Sequence, residues 1–158
     1  MKFVKIRTRA SSESILAMLF DNDRTNKGVR FDEKYGKPTF HLKEKDGRLR
    51  LKCEYIGGAS KDNAFLDGTA FRGKITERGG VTTVSGVITT AFIFHMLIAV
   101  LLGVFVYQCI NLGGFNPTPL CLLAFDIFMY YKEFKKQGLI KRYIERAVRR
   151  CEEEIKYE

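Results

Sequence analysis

Residues 91–112 read AFIFHMLIAVLLGVFVYQCINL, followed by GGFNPTP over 113–119 and LCLLAFDIFMYY over 120–131. Residues 84–131 hold no Lys or Arg and one acid, Asp126. Upstream, residues 1–83 hold 18 Lys and Arg against 11 Asp and Glu, and downstream 132–158 hold 9 against 6, within a chain of net charge +9. The first apolar run is long enough to cross a bilayer core as a helix, which takes about 20 residues. Glycines then end a helix, and prolines start the next without sitting inside it. The second run is too short to span alone. It becomes adequate if its helix begins near Phe115 and Lys132, Lys135 and Lys136 reach toward headgroups. A soluble pair of core helices would carry a polar stripe, which these runs lack. The stretch therefore predicts a two-helix transmembrane hairpin over residues 91–134.

A turn centred near Phe115 puts Lys135 level with His95, so the inner boundary falls near His95. The β-branched run VTTVSGVITT before it then reads as a strand feeding the first helix. The 111–119 loop is uncharged and both outer flanks are basic, which places both termini in the cytoplasm of a two-pass plasma-membrane protein. Tyr107, Tyr130 and Tyr131 suit the two interfaces. MKFVKIRTRASSES carries basic residues with no apolar run behind them and is expected not to be a cleaved signal.

Outside the hairpin the sequence predicts an α+β fold with a membrane anchor: a cytosolic antiparallel sheet domain over 1–90 and an amphipathic helix over 135–158 that covers the sheet. Lys2 to Thr8 reads as a strand. Ser11 or Ser12 caps a helix through Phe20 with Ile15, Leu16, Leu19 and Phe20 on one side, and DNDRTNKG reads as a loop. PTFHLKEK and RLRLKCEYI flank Asp46-Gly47, a preferred type I′ pair. That turn sets Lys45 opposite Arg48, Lys43 opposite Arg50, Leu42 opposite Leu51 and Phe40 opposite Cys53. The inner face takes Phe40, Leu42, Leu49, Leu51, Cys53 and Tyr55. A second hairpin at Gly79-Gly80 sets Phe71 opposite Ile88, Gly73 opposite Gly86, and Ile75 opposite Val84. Gly138 is expected to bend the chain, after which Ile140, Ile144, Ala147, Val148, Cys151 and Ile155 form an apolar stripe.

Phe71, Gly73 and Ile75 in an F-x-G-x-I pattern, then Gly86, then Gly138 ahead of a last helix, make the layout of residues 64–155 resemble a group of uncharacterised bacterial membrane proteins. In those, paired strands run into a transmembrane hairpin and end in a cytosolic helix. The chain departs from them in placing His95 where a basic residue is usual. The resemblance implies the architecture and carries no activity.

The outer face of the predicted hairpins collects His41, Lys43, Lys45, Arg48, Arg50 and Lys52, with Arg72, Lys74 and Arg78 from the second, relieved by Glu54. Like charges directly opposite on a sheet cost roughly 0.2–1 kcal/mol per pair. Retaining Lys45/Arg48 and Lys43/Arg50 points to an anionic ligand: anionic lipid, worth about 1 kcal/mol per basic residue at the surface, or a protein partner. A solubilising face accounts for the same residues. Nucleic acid is disfavoured because the face lacks the aromatics on which single strands stack. Asp126, costing about 2.5–3.5 kcal/mol near the bilayer middle, and Ala99-x-x-x-Gly103 suggest helix packing with a second copy, hence a homo-oligomer or a subunit of a transport complex. Depth arithmetic pairs Asp126 with Gly103 or Val104 and excludes a His95–Asp126 proton relay. It also pairs Cys109 with Cys121, where two apolar fillers are preferred to a disulfide. No metal site is expected, since the four cysteines show no CxxC spacing. No cofactor is expected either, and GxGxxG, P-loop, HExxH and GxSxG motifs are absent, which argues against an enzyme. Asp62 and Asp67 read as turn residues.

Overall fold

In a computed structural model the described residues are 1–30, 38–45, 47–55, 68–90, 92–111 and 117–157. The chain runs β1 (Lys2–Thr8), α1 (Ser12–Phe20), α2 (Asn22–Thr25), β2 (Pro38–Lys45), β3 (Arg48–Tyr55), β4 (Ala70–Arg78), β5 (Val81–Thr89), α3 (Phe92–Asn111) and α4 (Thr118–Ile155). The strands form one antiparallel sheet in the order β1-β5-β4-β3-β2. The fold is α+β, a five-stranded antiparallel sheet with a C-terminal helix.

Both hairpins take the register that their turns dictate. Lys45 faces Arg48, Lys43 faces Arg50, Leu42 faces Leu51 and Phe40 faces Cys53. Phe71 faces Ile88, Gly73 faces Gly86, and Ile75 faces Val84. Gly79 and Gly80 have φ of 58° and 72°, the left-handed pair that a type I′ turn requires. Gly47 has φ of 69°, while Asp46 lies outside the described residues, as do Asp62, Asp67, Phe115 and the side chain of Tyr55.

The inner face of the sheet meets α1 and the second half of α4. Ser11 caps α1, its hydroxyl accepting from the Ser14 amide. Ile15, Met18 and Leu19 are buried, whereas Phe20, expected inside, is exposed. From α4, Ile140, Tyr143, Ile144, Ala147, Val148 and Cys151 enter the core, while Ile155 is exposed. Tyr143 stacks on Phe40 at a centroid distance of 3.9 Å and its hydroxyl donates to the Leu19 carbonyl at 2.9 Å. DNDRTNKG is not wholly a loop. Asp21 accepts from the Arg24 amide and nucleates the single turn α2, because Asx side chains satisfy a first-turn donor at a helix start.

One expectation needs correction, and another is met only in its coarser part. Gly138 does not interrupt the last helix: α4 is continuous through it for 38 residues, about 57 Å at 1.5 Å per residue. A glycine ends a helix by adopting positive φ, and Gly138 does not. The boundary expected between a hairpin ending at 134 and a separate helix at 135 thus falls inside one element. Second, among the described residues only α3, over Phe92–Ile110, is long and apolar enough to cross a membrane, and 6% of that window is buried. The apolar run of α4 stops at Lys132 and is followed by Glu133, Lys135 and Lys136. It is the first part of a longer, charged helix. α3 packs against that first part.

Candidate functional site: a basic sheet face

Side chains alternate across a strand, so the register decides which charges share a surface. Lys43, Arg50 and Arg72 are successive cross-strand neighbours, and so are Lys45, Arg48 and Lys74. Two ranks of three cations therefore run across β2, β3 and β4. At about 4.8 Å between strands each rank is about 10 Å long, and two residues of strand, about 7 Å, separate them. Between the ranks lies a shallow trough of about 730 Å³ floored at Leu49 and Gly73. Four like-charge neighbours line it, where the first hairpin alone predicted two.

The remaining sequence-derived candidates divide. His41 and Lys52 form the adjoining row, with His41 Nε2 3.4 Å from Glu54 Oε2. Arg78 lies at the far end of β4, opposite Val81, outside the trough. Sequence reasoning missed Lys5 and Arg7, which join the face because β1 pairs with β5: Lys5 faces Ser85, itself opposite Lys74, and Arg7 faces Thr83. It also missed Phe3, which faces Val87 beside Arg72 on the same side and is 76% exposed. The face thus carries an aromatic after all, though a single one rather than a stacking platform.

The sheet is fastened to α4 where α3 departs. The Thr69 amide donates to Glu133 Oε2 at 2.9 Å, and the Thr69 hydroxyl donates to the Glu133 carbonyl at 2.8 Å. Lys136 pairs with Glu133, and Gln137 Nε2 donates to the Thr90 hydroxyl at 2.8 Å. Nearby, burial pushes the Cys53 thiol up to about 12, with Lys136 opposing the shift. At the other end Glu77 accepts from the Ser12 amide, which holds its carboxyl below the usual range.

The helical candidates separate. Asp126 is buried, and its Oδ2 has no hydrogen-bond partner among the described residues. Ala99 is exposed, and Gly103 has open space where a Cβ would stand. The carboxyl and the small residues therefore do not share a surface. His95 meets Tyr130, Nε2 to hydroxyl 3.5 Å, rather than lying level with Lys135. By the same depth arithmetic, that five-residue shift brings Asp126 to the level of Ala99 and takes Cys109 out of register with Cys121. All four cysteines are free thiols, Cys53 and Cys151 buried, Cys109 and Cys121 exposed. Among the described residues no three His, Cys, Asp or Glu side chains are grouped to hold a metal.

No protein-family profile, curated protein or solved structure matches this chain.

Proposed function

We propose that the protein is a non-catalytic, two-pass membrane module that presents its basic sheet face to an acidic protein surface beside it at the cytoplasmic side of the membrane. The observation that carries this reading is the double rank Lys43–Arg50–Arg72 and Lys45–Arg48–Lys74. Each like-charge neighbour costs up to about 1 kcal/mol, and an anionic partner offsets that cost.

The second pass is the first half of α4. Leu120, Leu122, Phe125, Ile127, Phe128 and Tyr131 are all more than two-fifths exposed, an apolar surface that hydrocarbon would cover. Lys132 and Lys135 lie over the Phe128 and Tyr131 rings at 4.5 and 4.7 Å, an arrangement suited to a headgroup layer.

The continuity of α4 favours a protein partner over lipid. Its second half lies on the sheet, so the sheet plane follows the helix axis. With the first half crossing the bilayer, the outer face looks sideways along the membrane, so that headgroups meet only its membrane-side edge and the trough between the ranks opens to the side.

Protein in neutral-lipid nanodiscs would be titrated with poly-glutamate peptide, anionic vesicles and short single-stranded DNA at low and high salt. Poly-glutamate is expected to bind most tightly, to weaken with salt, and to be lost in Lys43→Glu/Arg50→Glu/Arg72→Glu. Binding that survives the reversal, or a clear preference for vesicles or DNA, overturns the reading.

A further inference from the structure

At the corner where β1 begins, Phe3 and Lys5 continue the rows of Arg72 and Lys74 beyond the trough to the edge of the sheet. The side chains of Met1 and Phe3 are each 76% exposed. Lys2 lies opposite Ile88 and Phe3 opposite Val87, within a few residues of the start of α3 at Phe92. Lys2 Nζ reaches over the Phe134 ring of α4, 5.7 Å from its centroid. That ring is one helical turn from Tyr130, which meets His95. The strand start is therefore held at the level where Lys132 and Lys135 fold over Phe128 and Tyr131.

From this we infer that Met1 and Phe3, flanked by Lys2 and Lys5, form a contact with the inner leaflet, the apolar side chains entering the headgroup–acyl boundary and the lysines meeting anionic headgroups. Two exposed apolar side chains among cations at headgroup depth have the composition of an interfacial anchor. The occupant is lipid because this corner is continuous with the apolar surface of α3 and α4. Phe3 points from the outer face of the sheet, away from the core that α4 covers. It thus fixes rotation of the upright domain about its helix and sets the direction in which the trough looks. The inference rests on α3 lying in the bilayer.

The chain has no tryptophan, so single substitutions report depth. Phe3→Trp, Val81→Trp at the far hairpin and Leu102→Trp in the middle of α3 would each be placed in nanodiscs of mixed neutral and anionic lipid. One quencher would sit near the headgroup and another deep in the acyl chain. Expected are loss of emission and a blue shift for Phe3→Trp with the shallow quencher, none for Val81→Trp, and loss with the deep quencher for Leu102→Trp. Adding Lys2→Glu and Lys5→Glu should reduce the Phe3→Trp quenching. Phe3→Trp behaving like Val81→Trp while Leu102→Trp is quenched overturns the corner contact and leaves the anchor standing. An unquenched Leu102→Trp overturns the anchor and the contact with it.

Discussion

At the scale of single residues, Phe71 lies across the facing pair Gly73 and Gly86. A Cβ on Gly73 would stand 2.3 Å from the Phe71 ring and 2.4 Å from the Ser85 carbonyl oxygen. On Gly86 it would meet the ring and the Arg72 carbonyl at 2.5 Å. Overpacking of this kind costs about 1–3 kcal/mol. Gly73→Ala should lower the denaturant midpoint accordingly, and an unchanged midpoint would show that both the ring and the β5 backbone at Ser85 can give way. Tyr143 supports a second prediction. Burial raises its phenol from 10 to about 12, and burial likewise raises the Cys53 thiol from 9 to about 12. Both groups ionise more readily in the unfolded chain. Stability is therefore fully present below about pH 9 and is lost as pH climbs toward 12. Tyr143→Phe should lower stability at neutral pH by about 1 kcal/mol through the lost bond to Leu19, and should flatten the alkaline decline, as followed by urea unfolding across pH. The glycine pairing was legible in the sequence because the Gly79-Gly80 turn fixes it. Tyr143 was not, because the stripe was read from aliphatic and small residues. Its spacing from Ile140 and Ala147 was the available signal.

At the scale of elements, the two hairpins were readable because a two-residue turn dictates register locally. The strand order was not. Nothing near Lys2–Thr8 announces that it pairs with Val81–Thr89, and that pairing alone brings Phe3, Lys5 and Arg7 onto the basic face. The last helix was misread at Gly138, since glycine signals a stop only when the backbone turns left-handed there. Gly138 is helical with open space at its Cβ position. Gly138→Ala should therefore stabilise α4 by about 0.5–1 kcal/mol, visible as a raised thermal midpoint. A lowered one would mean that the helix uses glycine to yield at this point.

At the scale of the whole molecule, composition separates a charged domain from an apolar stretch that holds α3 and the start of α4, and the exposure of α3 makes that separation a physical demand for cover. If the two-pass reading holds, alkaline carbonate washing leaves the protein with the membranes and detergent is needed to release it. Release by carbonate would place it among peripheral proteins. The unbroken α4, held to the sheet through Glu133, Thr69, Gln137 and Thr90, has a mechanical consequence. That helix is a rod about 57 Å long. On the two-pass proposal its first half would tilt with the local bilayer, by about 20° on average, and over the roughly 30 Å of its second half the same tilt would swing the far end by about 10 Å. Bilayer thickness would then be converted into the position of a charged plate, with the protein as a lever whose fulcrum lies in the headgroup layer.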